Sequence, residues 1–172
     1  MRIETMEDLF MEQIQDLYDA EERLVKALPK MAEASTSNEL RKAFEEHLQQ
    51  TRGHVQRLEQ VFSELGKKAS GETCEAMKGL IEEGEEMTDD IKPSPLRDAG
   101  LIAAANRVEH YEIAGYGTAR TIAQSLGLTR AANLLEQTLE EEKQADGKLT
   151  RSAEQKVNQE AMQYGARTRT AR

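Results

Sequence analysis

Four long segments of the chain repeat apolar residues at intervals of three and four positions, the spacing of one buried face of an α-helix. The segments cover about residues 5–34, 37–65, 96–126 and 130–159. The chain has three prolines and no tryptophan, and it is rich in alanine, glutamate and leucine, which favour helix over sheet. We therefore predict an all-α protein built on four long helices.

The connections between these segments indicate how the helices are joined. The connection between the second and third segments, about residues 66–93, is too long for a hairpin turn, and it contains its own amphipathic stretch at 74–87. Four helices with one long crossover, here carrying a short fifth helix, are the organisation of a ferritin-like four-helix bundle. We expect this bundle domain to cover residues 1–160.

Local signals refine the predicted boundaries. Ser37 has the side chain to cap the second helix, although Leu40 three residues later completes only half of a capping box. Pro29 lies inside the first helical pattern and predicts a kink or a break there. Residues 161–172 are polar and basic, and we predict a disordered tail.

Each apolar stripe is interrupted by polar residues near the middle of its helix. At about 1.5 Å per residue the helices would each be roughly 45 Å long, so helices packed side by side would bring their centres into one layer. The interrupting residues are Glu21 in the first helix, His47, Thr51 and His54 in the second, Glu109 and Glu112 in the third, and Glu142 and Asp146 in the fourth, with Gln50 beside them. We predict that these residues form a buried polar layer.

A layer of this kind favours metal binding. Several buried carboxylates with few cationic partners repel one another and resist ionisation, and bound cations remove that cost. Mixed carboxylate and imidazole donors suit iron, manganese or zinc better than calcium, and we expect iron. The candidate metal ligands are Glu21, His47, Gln50, His54, Glu109, Glu112, Glu142 and Asp146.

Other interpretations fit the same residues. Charged residues on a helix commonly lie on its solvated face, and Glu109 would turn outward if the buried stripe ran through Leu101 and Val108. The run EEEK at 140–143 places a carboxylate at nearly every angle around the fourth helix. A metal-free polar layer could instead fix the register of the bundle and its choice of partner.

Composition and charge narrow the functional class. A net charge of −9 disfavours binding to nucleic acid. The single cysteine, Cys74, cannot form an internal disulfide, which favours a reducing cytoplasm, and no nucleophile–base set lies near it in sequence. The N-terminus lacks the apolar run of a signal peptide, and no stretch approaches the roughly 18 apolar residues that span a bilayer. We expect a cytoplasmic protein that binds neither nucleic acid nor membrane.

Five runs of the sequence carry a family resemblance. They are DLYDAEERLVKALPKMA (16–32), FEEHLQQTRGHVQRLEQVF (44–62), CEAMKGLIEEGEE (74–86), LIAAANRVEHYEIAGYGTAR (101–120) and LLEQTLEEEKQADGKLT (134–150). Together, over about residues 3–160, they resemble the YciF-like bacterial proteins of the ferritin-like superfamily. The resemblance implies a helical bundle, a homodimer, an association with bacterial stress responses, and kinship with rubrerythrin- and ferritin-type di-metal proteins. It implies no particular reaction, so metal sequestration and oxygen or peroxide chemistry both stay open.

The superfamily pattern can be carried over only in part. It implies metal-ligand roles for Glu21, His54, Glu109, Glu112, Glu142 and Asp146. A di-iron bundle supplies Glu-x-x-His from each of two helices, but Thr51 stands where the carboxylate before His54 would be. The third helix instead carries the pair Glu109-x-x-Glu112. These departures leave the number of bound ions and any catalysis undecided.

Overall fold

The computed structural model describes the backbone of residues 2–170 and the side chains of residues 2–168, and over that range it contains helices and no strand. The elements are α1 (Met6–Ala34), α2 (Asn38–Glu64), α3 (Glu75–Asp90), α4 (Pro95–Ser125), α5 (Thr129–Ser152), a π-helical turn (Ala153–Val157) and α6 (Asn158–Thr170). The prediction of an all-α bundle with a short crossover helix is confirmed.

Side-chain caps begin three of the long helices. The Thr5 side chain accepts a hydrogen bond from the backbone N–H of Asp8, whose carboxylate in turn accepts from the Thr5 N–H, a complete capping box. Ser37 accepts a hydrogen bond from the N–H of Leu40, as predicted, and Ser94 caps α4 in the same way. These caps satisfy backbone donors that have no partner within the helix.

Helix α1 continues through Pro29 without a break. Proline removes one backbone donor from the helix, but Pro29 lies on the exposed face, where water can satisfy the freed carbonyl. Ala27, Leu28 and Ala32, on either side of it in the sequence, are buried and hold the helix against the bundle. Tertiary packing therefore outweighs the local cost of the proline, and the break expected from the sequence does not occur.

The segment expected to be a disordered tail is helical as far as Thr170, and residues 171 and 172 lie outside the described residues. The π-helical turn inserts one extra residue into the helical repeat and joins α5 to α6. Val157 and Ala161 are buried, and α6 packs against α4. A small apolar face, invisible in the overall polarity of the segment, is what orders it.

The buried apolar residues form two clusters. One contains Phe10, Ile14 and Leu58, and the other contains Leu28 and Phe44. Helix α4 packs on α5, α1 packs on α2, and α3 covers the surface shared by α1 and α4. Along α1, Leu17 belongs to the first cluster and Leu24 to the second, so Glu21 lies between them. The polar layer thus separates two apolar halves of the core.

Among the described residues, none of the helices is both long enough and apolar enough to cross a bilayer.

Candidate metal centre

Six of the eight candidate ligands are buried together at the middle of the bundle. They are Glu21 from α1, His47 and His54 from α2, Glu109 and Glu112 from α4, and Glu142 from α5. His47 is the most exposed of them, at 7%, and four of the six have no exposed surface. The polar interruptions of the four stripes therefore do meet in one layer, which no single helix could have formed.

The six side chains form two groups of donor atoms that share one carboxylate. His47, Glu109, Glu112 and Glu142 make the first group, and Glu21, His54 and Glu142 make the second, with all chosen donor atoms of a group within 4.8 Å of one another.

The distances place Glu142 between the two histidines. Its Oε1 lies 2.9 Å from Nδ1 of His54, and its Oε2 lies 3.7 Å from Nε2 of His47. In the first group Nε2 of His47 is also 3.2 Å from Oε1 of Glu109. In the second, Nδ1 of His54 is 3.3 Å from Oε1 of Glu21.

Most of these buried atoms approach one another without forming hydrogen bonds. Both oxygens of Glu112 and of Glu142 lack a hydrogen-bond partner, as do one oxygen each of Glu21 and Glu109, Nε2 of His47 and Nδ1 of His54. The histidine–carboxylate distances are short enough for ion pairs, although they do not meet the geometry of a hydrogen bond. Buried polar atoms are normally hydrogen-bonded. Eight oxygen and nitrogen atoms that face one another without hydrogen bonds are instead the arrangement expected of atoms that bind a metal ion.

Residues outside the two groups orient His54. Nε2 of His54 lies 2.8 Å from Oε2 of Glu141, and Arg57 donates two hydrogen bonds of 2.7 and 2.8 Å to the same carboxylate. The hydrogen bond from Arg57 lowers the pKa of Glu141 and keeps it ionised. An ionised Glu141 accepts a hydrogen bond from the Nε2–H of His54. This leaves Nδ1 free to bind a cation, which is the usual role of a carboxylate behind a metal-binding histidine.

Neither Glu141 nor Arg57 was singled out in the sequence. Glu141 lies within the acidic run at 140–143, where every position offered a carboxylate. The only available signal was that Arg57 follows His54 by three residues and therefore shares its helix face.

Tyr116 contacts the centre from α4. Its hydroxyl donates a short hydrogen bond to Oε1 of Glu21, and its ring lies edge-on to that of His54 with centroids 6.3 Å apart. Burial and the nearby Glu21 raise the pKa of Tyr116 well above its usual range, so the phenol is a hydrogen-bond donor. It holds one oxygen of Glu21 and leaves the other unpaired.

His47 is oriented by its neighbours along α2. Its Nδ1 lies 3.3 Å from Oε1 of Gln50, and Thr51 donates a hydrogen bond of 3.0 Å to the His47 carbonyl. Gln50 is exposed and belongs to neither donor group. The structure therefore places this candidate ligand behind His47, where it favours a proton on Nδ1 and leaves Nε2 for the centre.

Asp146, the eighth candidate, is not brought into either group. It lies one turn beyond Glu142 on α5, is partly exposed, and pairs with His110 of α4, whose Nε2 is 3.3 Å from Oδ1. Four residues advance a helix by about 40° more than one full turn, which carries Asp146 away from the bundle axis.

The electrostatic field of the layer favours added positive charge. Burial alone would lower the pKa of both histidines, but the facing carboxylates outweigh it. Glu109 and Glu142 raise the pKa of His47 to about 9, and Glu21 and Glu142 raise that of His54 to about 11. Without a metal, both imidazoles are therefore doubly protonated and positively charged at neutral pH.

The pKa values of two carboxylates of the layer are raised as well, which here disfavours the charged form. Burial, reinforced by repulsion from Glu142, Glu21 and Glu109, raises the pKa of Glu112 well above its usual range. Burial also raises the pKa of Glu142, to about 7, although His54 and His47 act to lower it. The layer thus holds more carboxylates than its own cations can neutralise.

Cys74 has a structural role. It caps α3 by accepting a hydrogen bond from the N–H of Met77, it is buried, and its sulfur lies 3.1 Å from the hydroxyl of Tyr111. Burial raises the pKa of the thiol, so it is a poor nucleophile at neutral pH.

Comparison with known proteins gives consistent matches. Residues 5–162 match the family profile described as "Domain of unknown function (DUF892)". The chain is 48% identical over 162 residues to protein YciF of Escherichia coli K12, covering 94% of this chain and 98% of that protein.

Solved structures agree with this match. The crystal structure of the E. coli stress protein YciF superposes with a TM-score of 0.87 over 91% of this chain and 99% of its own. YcfI from Rhodopseudomonas palustris, which is 44% identical, superposes with a TM-score of 0.84 over 86% of this chain and 94% of its own. A protein from Xanthomonas campestris that is only 18% identical superposes with a TM-score of 0.71 over 89% of this chain and 94% of its own, which is a likeness of fold alone.

Proposed function

The chain belongs to the DUF892 family that includes YciF, as its sequence runs predicted, and we propose that it binds two divalent transition-metal ions in the carboxylate–histidine layer of its bundle. The observation that carries this proposal is the set of eight buried, unpaired donor atoms in two groups joined by Glu142.

The donor inventory supports the proposal. Ferritin-like di-metal centres use four carboxylates and two histidines, and the layer of this chain also has four carboxylates and two histidines. The arrangement differs, because both histidines come from α2, at His47 and His54, and α4 contributes the two carboxylates of Glu109 and Glu112. The second carboxylate on α4 makes up for the threonine at position 51.

Charge balance supports two ions rather than one. Four ionised carboxylates with two neutral imidazoles carry four negative charges, and burying them unpaired would be strongly unfavourable. Two divalent cations neutralise that charge, whereas two protonated histidines neutralise only half of it. Oxygen and imidazole donors of this kind suit iron or manganese, and zinc less selectively; we favour iron.

The physiological role that we propose is protection under stress, by sequestering the metal or by using it to consume oxygen or peroxide. The relative YciF is described as a stress protein, which supports a role under stress. Bound iron would supply one-electron redox chemistry, while the chain's own residues would hold the ions and exclude bulk water, and the Tyr116 hydroxyl would keep its hydrogen bond to Glu21.

Metal content after reconstitution tests the proposal. The purified apoprotein is loaded with Fe²⁺ under argon, excess metal is removed, and iron per chain is measured by plasma mass spectrometry. Wild type should retain about two ions per chain and Glu142→Ala fewer than one, whereas Glu140→Ala, which changes an exposed carboxylate on the same helix, should match wild type. Wild-type retention below one ion per chain would contradict metal binding.

A second test separates sequestration from redox chemistry. The iron-loaded protein is mixed with hydrogen peroxide, and the oxidation of iron is followed by absorbance in a stopped-flow instrument. Oxidation faster than that of free Fe²⁺ at the same pH supports peroxide consumption, and slower oxidation supports sequestration.

A metal-free structural role is the alternative. The 2.9 Å approach of His54 to Glu142 could serve as a buried ion pair that fixes the bundle register. That role predicts a melting temperature that does not change when iron is added, whereas ligand binding to the folded state must raise it.

We also propose that the protein is a homodimer, on the strength of the family resemblance. Sedimentation velocity would show a species of about 39 kDa, twice the chain mass of 19.3 kDa, and a monomer across the micromolar range would contradict it.

A further inference from the structure

The two donor groups differ in their distance from solvent. Glu21, His54, Glu112 and Glu142 have no exposed surface, whereas Glu109 is 2% and His47 7% exposed. Solvent therefore comes closest to the layer at His47, on the side of the bundle where α2 faces α5.

A depression lies on that side. It has a volume of about 200 Å³ and is lined by residues of α2, α4 and α5. His47 and Glu109 are among its lining residues, and Nε2 of His47 and Oε2 of Glu109 are both buried and without a hydrogen-bond partner. Since roughly 10–15 Å³ suffices to admit one water molecule, the depression can hold several polar atoms in front of two unpaired donors.

Polar side chains line the rest of the depression. Gln50 and Glu46 contribute from α2, and Gln144 and Lys148 contribute from α5. Lys148 and Glu46 form an ion pair that joins the two helices. Both side chains are more than half exposed, at 54% and 65%, and exposed pairs of this kind are weak and readily break and reform.

We propose that this depression is the port through which divalent cations reach the centre, and that the Lys148–Glu46 ion pair gates it. The inference rests on the proposed metal binding and adds its route. When the pair opens, Glu46 becomes a free carboxylate that attracts a cation, and it lines the same depression as His47 and Glu109 of the first group.

The charges around Glu46 determine the sign of each expected effect. Lys148 contacts Glu46, and Lys42 also acts on it from within α2. Removing Lys148 makes the mouth more negative and so draws cations in faster, and removing Glu46 leaves the positive charges of Lys148 and Lys42, which repel them. Such steering changes association rates by about tenfold or more and weakens as ionic strength rises.

Loading kinetics with Co²⁺ provide the test, because its visible absorption reports binding without any need for activity. In stopped-flow mixing of the full-length apoprotein with Co²⁺, Lys148→Ala should load at least threefold faster than wild type and Glu46→Ala at least threefold slower. The exchanged pair Glu46→Lys with Lys148→Glu should restore a rate close to that of wild type.

A steric variant tests the position of the port. Ala145→Phe places a ring into the depression and should slow Co²⁺ loading at least tenfold, with the equilibrium affinity unchanged within about twofold. The matched control is Thr88→Phe, which enters a different depression between α1, α3 and α4 and should load at the wild-type rate.

The outcomes separate this inference from the proposed function. If wild type binds Co²⁺ and Ala145→Phe loads at the wild-type rate, the depression is not the port. If Lys148→Ala and Glu46→Ala shift the loading rate in the same direction, the ion pair is not the gate. Wild type that binds no Co²⁺ overturns metal binding itself, and the port with it. Because Lys148 and Glu46 are exposed, their variants test the gate even if Ala145→Phe fails to fold.

Discussion

Glu142 approaches His54 with one carboxylate oxygen, Oε1, at 2.9 Å from Nδ1, and turns its other oxygen toward His47 at 3.7 Å. One side chain of α5 therefore belongs to both donor groups. This sharing makes the two groups parts of one centre, and it distinguishes Glu142 from ligands that belong to one group alone.

Single substitutions should therefore remove ions selectively. Glu109 belongs only to the His47 group and Glu21 only to the His54 group, so Glu109→Ala and Glu21→Ala should each lower the bound metal by about one ion per chain. Plasma mass spectrometry on reconstituted protein measures this. If either variant alone abolishes all binding, the two groups are not separable sites.

Replacing Glu112 should stabilise the metal-free protein while weakening metal binding. Burial and repulsion from three carboxylates raise the pKa of Glu112, so its charge is costly in the empty layer. Glu112→Gln should raise the free energy of unfolding of the apoprotein by about 1 kcal/mol. Urea denaturation in the presence of a chelator measures this.

The matched control for that prediction is Glu140→Gln, which neutralises an exposed carboxylate and should stay within about 0.5 kcal/mol of wild type. A Glu112→Gln apoprotein that is less stable than wild type would show that Glu112 makes a favourable interaction in the empty layer.

The apoprotein should lose stability as pH rises from about 6 to 9. The pKa of His47 is raised from 6.5 to about 9 on folding, so its contribution is complete below pH 6.5 and is lost as pH approaches 9. The pKa of Glu142 is raised to about 7, so its penalty grows between pH 4.5 and 7 and acts in the same direction. The raised pKa of His47 alone corresponds to a decline of about 3 kcal/mol, and His54, whose pKa is raised to about 11, adds to it over the same range. Urea denaturation at several pH values with a chelator present measures the decline.

Saturating metal should flatten this profile, because a bound cation takes the place of the histidine protons. His47→Gln should make the apoprotein profile shallower above pH 6.5, where His54, with its pKa raised to about 11, still contributes a slope. Stability of the metal-free wild type that rises between pH 7 and 9 would contradict the raised pKa of His47.

Glu141 should affect metal affinity without being a ligand. It accepts a hydrogen bond from Nε2 of His54 and is held by Arg57, and loss of such a partner costs about 10- to 100-fold in affinity. Glu141→Leu should raise the Kd for Zn²⁺ by that factor in competition with a chromophoric chelator, with stoichiometry preserved at high metal concentration. Glu140→Leu, one position earlier and exposed, should leave the Kd unchanged.

The helical architecture and most of the layer could be predicted because they depend on local periodicity. A stripe at three- and four-residue spacing identifies the buried face, and a carboxylate on that stripe, such as Glu21 or Glu112, must be buried when the stripe is. The burial of Glu109 together with Glu112 could not be decided from spacing, because a helix rotation of some 40° separates the two interpretations of α4.

What the sequence could not reveal depends on contacts between distant segments. Glu141 is important because it meets His54 and Arg57 across the interface of α5 with α2. Helix α6 forms because Val157 and Ala161 find a surface on α4. Asp146 turns toward His110 because its angle on α5 carries it away from the bundle axis. The local pattern does not identify the partner in any of these pairings, although the spacing of His54 and Arg57 places both on one face of α2.

An anomalous difference map from a crystal of the iron-loaded protein tests the central claim most directly. The account predicts two peaks about 3.5–4 Å apart, one contacted by His47 and Glu109, the other by Glu21 and His54, with an oxygen of Glu142 at each. A map with no peak in the layer, or with iron only at surface carboxylates, would contradict it.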